Sequence, residues 1–187
     1  LPTLLPDQDG DLWNPEWPTV MVSWTDAVAV AEDIARWTGH PWRLPGELEW
    51  EWLARGADGR VYPWGTEHLE PSWCRMRTSQ PVPVPAPVEA FPIDCGPSGV
   101  RGTAGNVVEW CAEEYPGTTP VSEDGVLQAI HPTLTDPTQG KKTARGGAYY
   151  YPPYSCRSTL RRVLAIHRRS FDHGFRLVRS LVPEDVD

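Results

Sequence analysis

Proline, glycine and tryptophan set the tightest limits on what this chain can fold into. Its 187 residues include 21 prolines and 16 glycines, which interrupt regular structure too often for long helices. Ten tryptophans require a core built from large rings, and each buried indole N–H needs an acceptor. The sequence therefore predicts a single domain, residues 1–187, of short elements around an aromatic core.

Two short helices are predicted in the first third of the chain. The first is capped by Ser23 or Thr25, carries small apolar residues at helical spacing, and ends before Gly39. The second begins at Pro45 and runs to about Arg55, because proline and acidic residues favour a helix start. The residues expected to face the core from the second helix are Trp50 and Leu53, with Ala54 beside them.

The remainder of the chain predicts short, irregular strands. They are expected at Val20–Trp24, Val107–Cys111, Arg145–Tyr151 and Phe175–Leu181. Pro81–Pro87 predicts an extended, edge-like segment, and Thr118–Lys142 predicts a polar loop. Two helices followed by several strands predict the α+β class.

Charge is distributed unevenly along the chain. Residues 141–179 hold ten lysines and arginines against one acid, Asp172, although the whole chain has a formal net charge of −8. This cationic segment either neutralises the acidic remainder or forms a face for an anionic partner. The acidic overall charge argues against nucleic acid as that partner.

Cysteine spacing and hydropathy bear on the compartment. Cys74, Cys95, Cys111 and Cys156 form no CxxC pair and no zinc pattern, which favours reduced, mostly buried thiols and a cytoplasmic protein. No apolar run is long enough to span a membrane, and the first residues lack the features of a signal peptide. Whether Leu1 is the natural terminus is left open.

Several motifs occur in an order that identifies a family. They are Val22-Ser23-Trp24-Thr25-Asp26-Ala27, Arg43-Leu44-Pro45-Gly46-Glu47, Tyr62-Pro63-Trp64-Gly65, Gly105-Asn106-Val107-Val108-Glu109-Trp110, Arg145-Gly146-Gly147 and Gly174-Phe175-Arg176. Together they resemble the formylglycine-generating, sulfatase-modifying-factor family over about residues 18–180, with Leu1–Pro18 in place of the N-terminal strands of that family. The resemblance implies a C-type-lectin-like fold, with two helices beside a small twisted antiparallel sheet and much irregular loop.

The resemblance also implies a copper chemistry that these residues do not match. Enzymes of the family oxidise a cysteine using Cu(I) held by two thiolates, and their two positions fall here on Tyr151 and Cys156. A phenol is a hard ligand with a high pKa and does not replace a thiolate. The serine that usually follows the two glycines is Ala148. The prediction is an inactive family member in which Cys156 is a buried structural thiol.

The residues also bear on the other metals of the superfamily. The branch that uses non-haem iron needs a histidine cluster, and the five histidines here show no HxxxH or HxH spacing. The family also binds calcium near the Gly-Asn-x-x-Glu-Trp strand, so Asn106 and Glu109 are candidate calcium ligands. No cofactor is expected to be required, and calcium is the one candidate ion.

The segment between Ala148 and His173 resembles another group on the same scaffold. Variable proteins of diversity-generating retroelements keep the bracket Arg-Gly-Gly, Cys-Arg-Ser and Gly-Phe-Arg and change the exposed positions between. The positions that would vary here are Tyr150, Tyr151, Pro152, Tyr154, Ser155, Leu160, Arg162, Val163, Leu164, His167, Arg168, Ser170, Phe171 and Asp172. Inactive family members without a retroelement would share this pattern.

The same segment has the composition of a binding surface. Tyrosine and arginine supply rigid contact area, hydrogen bonds and cation–π contacts. Alternation along the chain predicts that Tyr149 is buried and that Tyr150 or Tyr151 is exposed, whereas Val163–Ile166 is either a contact patch or a packed loop. The predicted ligand contacts are Tyr150, Tyr151, Tyr154, Ser155, Leu160, Arg162, Val163, Leu164, His167, Arg168 and Phe171.

Three functions follow from these observations. The first is a non-catalytic recognition domain for a protein or peptide, with no membrane partner, fused to or associated with an effector domain. The second is a copper-dependent formylglycine-generating oxidase with an atypical site. The third is a structural or oligomerising domain.

Overall fold

The fold is described from a computed structural model that covers residues 5–6, 12–65, 69–114 and 140–180. It has two α-helices, α1 (Trp24–Thr38) and α2 (Glu47–Arg55), and two short 3-10 helices at Val88–Ala90 and Pro153–Cys156. The strands are β1 (Leu5–Pro6), β2 (Leu12–Trp13), β3 (Trp42–Arg43), β4 (Val108–Glu114), β5 (Lys141–Arg145), β6 (Arg161–Ala165), β7 (His173–Phe175) and β8 (Val178–Arg179). Helices beside short strands confirm the α+β class.

A four-stranded sheet in the order β6-β5-β4-β7 forms the centre of the molecule. β5 pairs antiparallel with both β4 and β6, whereas β4 and β7 run parallel. Two small antiparallel pairs, β1 with β2 and β3 with β8, complete the strands. The chain segment 146–172 therefore begins after β5 and ends before β7, the two strands that flank β4.

Helix α1 begins and ends where its sequence predicts. The Ser23 hydroxyl accepts a bond from the Asp26 N–H at 3.2 Å, and the Asp26 carboxylate accepts one from the Ser23 N–H at 2.7 Å. These reciprocal bonds satisfy N–H groups that the first turn leaves unpaired. Gly39, at a φ of +74°, ends the helix and donates its N–H to the Ala35 carbonyl.

Helix α2 is fixed at its start by an ion pair. Arg43 donates two hydrogen bonds to Glu49, at 2.6 and 2.7 Å, and Glu49 also accepts the Gly46 N–H at 2.7 Å. Arg43, which begins one of the family motifs, therefore anchors the start of this helix. Trp50 is fully buried as predicted, but Leu53 is only half-buried, so Ala54 rather than Leu53 faces the core.

Tryptophan rings fill the core, and the indole N–H groups of Trp24, Trp50 and Trp110 find acceptors as expected. Trp24 and Trp110 lie in the cluster between α1 and the sheet, and Trp50 lies in a second cluster with Ala54 and Cys111. The Trp24 indole donates to the Cys111 carbonyl at 2.9 Å, and the Trp110 indole donates to the Val22 carbonyl at 3.0 Å. Burying these rings while their N–H groups stay hydrogen-bonded stabilises the folded protein.

Three of the predicted strands differ from the structure. Val20–Trp24 is not a strand, because Met21 adopts a φ of +60° and only single backbone bonds join it to the 166–170 segment. The strand predicted at Arg145–Tyr151 ends at Arg145, since Gly146 turns the chain with a φ of +84°. The last prediction, Phe175–Leu181, resolves into the ends of β7 and β8.

Two further predictions concern loops. Pro81–Pro87 forms no strand, and it contains a tight turn in which the Val84 N–H donates to the Val82 carbonyl at 3.0 Å, so it is not extended throughout as predicted. The buried Arg75 side chain donates to the carbonyls of Val82 and Val84 at 2.6 and 2.9 Å. The loop predicted at Thr118–Lys142 lies mostly outside the described residues, apart from its end in β5. Among the described helices, none is long and apolar enough to cross a membrane.

Candidate binding surface

The Arg-Gly-Gly segment fixes the start of the loop at residues 146–158. A Cβ on Gly147 would lie 2.6 Å from the Ala104 carbonyl and 2.8 Å from the Ser155 carbonyl, so only glycine fits there. Gly147 donates its N–H to Ala104 at 3.0 Å, and Tyr149 donates to the Asn106 carbonyl at 2.8 Å. The loop is thus held against the turn that precedes β4.

Arg145 of the Arg-Gly-Gly motif and Arg176 of the Gly-Phe-Arg motif anchor the backbone and are not candidate ligand contacts. Arg145, whose side chain is buried, donates to the carbonyls of Thr159 and Leu160 at 3.0 and 3.1 Å, where the loop leaves toward β6. Arg176 pairs with Glu109 and donates to the Gly102 carbonyl at 3.2 Å. These contacts tie both ends of the segment to the rest of the fold.

Tyrosines alternate between core and solvent along this loop. Tyr149 is buried, and its hydroxyl donates to the Phe171 carbonyl at 3.1 Å. Tyr150 is 46% exposed and Tyr154 is 63% exposed, whereas Tyr151 is half-buried. The predicted alternation is confirmed, with Tyr150 as the exposed ring.

The exposed Tyr150 ring is held by two neighbours. Phe171 contacts it edge-to-face with the ring centroids 5.7 Å apart. The Arg77 guanidinium lies 5.3 Å from its centroid and donates to the Tyr150 carbonyl at 2.9 Å. Arg77 was missed in the sequence, because nothing local indicates that it meets a loop distant along the chain. The result is an exposed aromatic group whose position is fixed before any ligand arrives.

Tyr151 lies in a polar network that replaces the first thiolate of the family. The Arg162 guanidinium carbon lies 4.2 Å from the centroid of the Tyr151 ring, and the Tyr151 hydroxyl is hydrogen-bonded to Asp172. Burial, together with the carboxylate of Asp172, raises the pKa of Tyr151 to about 12. The phenol therefore stays protonated and acts as a hydrogen-bond donor at this position.

The structure divides the predicted ligand contacts into three groups. The exposed ones are Tyr150, Tyr154, Val163, His167, Arg168 and Phe171; the half-buried ones are Tyr151, Leu160, Arg162 and Leu164. Ser155 is a correction, because the turn at Pro153–Cys156 leaves it only 2% exposed and out of reach of a ligand. Asp172, one of the positions expected to vary, is buried in the same way.

A shallow depression lies along residues 163–169 of the same segment. It has a volume of about 490 Å³ and is lined by Val163, Leu164, Ala165, His167, Arg168 and Arg169. Val163 is exposed, whereas Leu164 packs against the main core cluster and Ile166 is buried. The Val163–Ile166 segment, predicted to be either a contact patch or a packed loop, is thus surface at Val163 and core at Ile166.

A cluster of sulfur atoms lies beneath the loop. Cys156 and Cys74 are fully buried in one group with Tyr62, Met76 and Ala104, and the Met76 Sδ lies 4.0 Å from the Cys156 Sγ. A hydrogen bond to the Cys156 thiol, with burial, raises the pKa of Cys74. The spacing of the cysteines in the sequence does not indicate that Cys74 lies near Cys156, and only the fold brings the two together.

The sulfur cluster is closed to a peptide. Tyr62 is buried over it and stacks on Trp64 with a centroid separation of 5.0 Å. A protein cysteine cannot approach the two thiols without displacing these rings. The open two-thiolate copper site implied by the family therefore does not fit this arrangement, although Cys156 is buried as predicted.

The candidate calcium ligands are engaged elsewhere. Asn106 accepts the Ala86 N–H at 3.0 Å and donates to the Ala86 carbonyl at 2.8 Å. Glu109 accepts the Trp50 indole N–H at 2.6 Å and pairs with the Arg176 guanidinium. A cation beside Glu109 would have to displace that guanidinium, so these two side chains do not fit a calcium site.

Histidine and carboxylate groups give no further metal site in the described ranges. No group of three or more His, Cys, Asp or Glu side chains is arranged there to hold a metal ion. His68 and His131 lie outside those ranges, and His173 is buried rather than on the surface, with its ring 5.9 Å from that of Trp110.

Comparison with known proteins identifies the scaffold. The family model described as "Sulfatase-modifying factor enzyme 1-like domain" matches residues 7–181 of the chain. The chain belongs to this family. The match begins earlier than residue 18, where the motifs begin.

Relatives within the family include both active and inactive proteins by name. The chain is 38% identical over 153 residues to the formylglycine-generating enzyme of Streptomyces coelicolor, covering 73% of the chain and 43% of that relative. It is 37% identical over 110 residues to the inactive C-alpha-formylglycine-generating enzyme 2 of Bos taurus, covering 54% of the chain and 34% of that relative. The chain thus spans less than half the length of either relative.

A solved structure supports the same fold. Treponema denticola variable protein 1 superposes with a TM-score of 0.73 over 94% of this chain and 74% of its own, at 18% identity. Identity at this level shows the fold alone, and the fold agrees with the formylglycine-enzyme-like scaffold predicted from the motifs. The finer description of the scaffold as C-type-lectin-like stays a prediction.

Proposed function

We propose that this protein is a non-catalytic recognition domain that binds a protein or peptide. The binding surface, called the recognition face below, consists of Arg77, Tyr150, Tyr154, Arg162, Val163, His167, Arg168 and Phe171. The observation that carries the proposal is the exposed Tyr150 ring, held between Phe171 and Arg77. Rigid aromatic groups flanked by arginine are typical anchors of protein interfaces, because little side-chain entropy is lost on binding.

The absence of a usable catalytic pair supports binding over oxidation. Tyr151 replaces the first thiolate, and a protonated phenol does not hold Cu(I). Cys74 does bring a second sulfur to Cys156, which is the one observation that favours the oxidase. Both thiols are fully buried, however, whereas oxidation of a protein cysteine needs a site that the cysteine can enter.

The charge of the recognition face favours an acidic partner. Arg77 and Arg168 are exposed, and Arg162 is half-buried above Tyr151. The one acid between residues 141 and 179, Asp172, is buried and bonded to Tyr151 and Ser170. A cationic surface on a chain with a net charge of −8 attracts acidic ligands.

Sequence variation on this face is part of the proposal. The bracket of the segment resembles that of variable proteins of diversity-generating retroelements, and most positions expected to vary lie at least partly exposed. The fold similarity to a protein named a variable protein supports this interpretation. A near-identical template repeat beside a reverse transcriptase gene in the source DNA would be expected, and its absence would leave a non-varying recognition domain.

Selection from a random peptide display library tests the binding proposal. Peptides selected on the wild-type protein are expected to be acidic and to bind at least about tenfold more weakly to the Tyr150→Ala/Phe171→Ala variant, the loss typical of interface anchors. Trp52→Ala, which removes an exposed aromatic ring from α2, is the matched control and is expected to bind normally. Equal binding by all three proteins would reject the recognition face and favour a structural or oligomerising domain.

Oxygen-dependent conversion of a cysteine peptide tests the alternative. With Cu(I) supplied under air, we expect no aldehyde by mass spectrometry. Aldehyde that disappears in Cys156→Ser would establish the oxidase instead.

A further inference from the structure

The residues that lead into α1 run beside the end of the segment that carries the recognition face. The Met21 N–H donates to the Ser170 carbonyl at 3.0 Å, and the Trp24 N–H donates to the Ile166 carbonyl at 3.0 Å. Ser170 directly precedes Phe171, whose ring holds the exposed Tyr150. Met21 therefore lies at the edge of the recognition face, although it is far from that segment in sequence.

The backbone of Met21 is in a conformation that methionine rarely adopts. Its φ is +60°, and the one other non-glycine residue with a positive φ among the described residues is Asn106. Asparagine tolerates this conformation, and the Asn106 side chain is also bonded to both backbone groups of Ala86. For methionine the left-handed conformation brings the Cβ close to a carbonyl oxygen, which costs free energy. Conformations of this kind persist where surrounding contacts fix the backbone, and they cluster at functional sites.

The side chain of Met21 faces solvent instead of filling the core. It is 53% exposed, comparable with Tyr150 at 46% and Phe171 at 50%. Core packing therefore offsets little of the conformational cost at this position. A thioether side chain is flexible and polarizable, so it adapts its shape to an apolar partner.

Charge differs between the two sides of this edge. Arg169, beside Met21, is already paired with Asp26, to which it donates a hydrogen bond at 3.0 Å. Arg168 and Arg77 are exposed on the recognition face. A ligand that covers the face consequently meets cations at these two arginines and a neutralised, apolar edge at Met21.

We propose that Met21 belongs to the recognition face and contacts an apolar side chain of the bound peptide. The partner is then a peptide in which an apolar or aromatic residue accompanies acidic residues, with the acids facing Arg168 and Arg77. This inference rests on the proposed recognition function and adds the apolar half of its specificity. Met21 lies outside residues 148–173, so the contact is independent of the positions expected to vary.

A double-mutant cycle with a selected acidic peptide tests the contact. Met21→Ala is expected to weaken binding at least about fivefold, the loss typical of an energetically important interface residue. Replacing the apolar residue of the peptide by alanine should then cost about threefold less in Met21→Ala than in wild type, because residues in contact are not additive. Replacing an acidic residue of the peptide should cost the same in both proteins. Additive effects at the apolar residue would overturn the proposal.

Three further variants separate the side chain from the backbone. Met21→Gly fits the left-handed conformation and is expected to unfold at a higher urea concentration than Met21→Ala, yet to bind as weakly. Met21→Leu restores an apolar side chain and should recover most of the affinity. Trp37→Ala, which removes an 87% exposed ring about 20 Å along α1, is the matched control and should bind as wild type does. Full affinity in Met21→Gly would show that only the backbone matters and would overturn the proposal.

Oxidation of the wild-type side chain gives a readout that needs no substitution at Met21. Hydrogen peroxide converts an accessible thioether to the polar sulfoxide and is itself reduced to water. The chain has two methionines, and Met76 is only 1% exposed, so mild oxidation is selective for Met21. Cys95→Ser removes the partly exposed thiol from this experiment. We expect the sulfoxide form to bind at least about fivefold more weakly and methionine sulfoxide reductases to restore binding, whereas unchanged binding would overturn the proposal.

The outcomes also distinguish this inference from the recognition function. Peptides that lose affinity for the Tyr150→Ala/Phe171→Ala variant but bind all the Met21 variants normally would reject the Met21 contact alone. Peptides that bind every one of these proteins equally would reject the recognition face itself, and the Met21 contact with it.

Discussion

Tyr151 shows how one residue can change what a site does while the backbone around it is kept. Its hydroxyl bonds to the buried Asp172, and its ring lies under the Arg162 guanidinium. A phenol held in this way is a structural donor rather than a metal ligand. The loop therefore keeps its path although the thiolate that the family resemblance expects at this position is absent.

Removing the Tyr151 hydroxyl separates this structural role from a role in binding. In Tyr151→Phe, the buried Asp172 loses a hydrogen-bond donor, which costs about 1–3 kcal/mol of unfolding free energy. Tyr150→Phe removes the same atom from an exposed ring and is expected to change stability by less than about 0.5 kcal/mol. Urea unfolding of the two variants measures both values, and equal losses would contradict the network.

Asp172 predicts how stability changes in acid. Burial opposes ionisation of this carboxyl, but hydrogen bonds from Ser170 and Tyr151 outweigh it and hold the pKa of Asp172 below its ordinary value of 3.8. A carboxyl whose pKa is lowered by folding stabilises the protein above the unfolded pKa, and that stability is lost as the pH falls through the folded pKa. Between pH 5 and pH 2, Asp172→Asn should consequently lose less unfolding free energy than wild type. If the unfolding free energies of the two proteins fell equally over this pH range, the Asp172 carboxylate would contribute nothing to the pH dependence of stability.

At the scale of the elements, the two helices were predictable, and so was β4, which the sequence predicts at Val107–Cys111, but the other predicted strands differ from the structure. Ser23 and Gly39 mark the ends of α1 through bonds made within a few residues, which a local pattern reveals. Met21 and Gly146 instead adopt positive φ angles where the flanking residues read as strand, because contacts with distant segments decide their conformation. Propensity is overridden where tertiary contacts are strong.

The same distinction explains which parts of the candidate site were found. The exposed tyrosines follow from alternation along the chain. Arg77 and Cys74 were missed because their partners, Tyr150 and Cys156, lie far away in sequence and only the fold brings them together. Ser155 was assigned wrongly, because a buried 3-10 turn has no periodicity that a sequence pattern reports.

The loop as an element depends on Gly147. A Cβ there would lie under 3 Å from two backbone carbonyls, which cannot move as a side chain can. Gly147→Ala is therefore expected to lower the unfolding free energy by about 3 kcal/mol or more and to weaken peptide binding through loop displacement. Gly99→Ala, where nothing lies within 4 Å, should lose only the roughly 1 kcal/mol of a left-handed conformation. Thermal or urea unfolding measures the unfolding free energy of both variants. A Gly147→Ala protein as stable as Gly99→Ala would contradict the packing argument.

At the scale of the whole molecule, the proposed recognition face of an acidic protein carries the exposed cations Arg77 and Arg168. The other cations of the basic segment include Lys142 and Arg145, which are buried, and Arg161, Arg169 and Arg176, which pair with Glu47, Asp26 and Glu109. Electrostatic attraction between this face and an approaching acidic peptide depends on ionic strength, because salt at 0.1 M screens charges that are more than about 10 Å apart. The association rate of a selected acidic peptide is therefore expected to fall about tenfold or more between low and high salt.

A pair of charge variants separates the face from the net charge. Arg168→Gln removes an exposed cation of the recognition face and should reduce the salt dependence of the association rate. Arg36→Gln removes an exposed cation from the last turn of α1, where it pairs with Asp33, and should leave that dependence unchanged. Stopped-flow or surface-based kinetics would measure the slopes, and identical effects would mean that only the overall charge matters.

Hydrogen exchange of the protein with and without a selected peptide tests the central claim most directly. Binding at the recognition face should slow exchange in the segments 149–158 and 161–172, which carry Tyr150, Tyr154 and Phe171, and should leave α2 around Trp52 unchanged. Protection confined to α2 or to the α1 surface, with no change in the loop, would contradict the account.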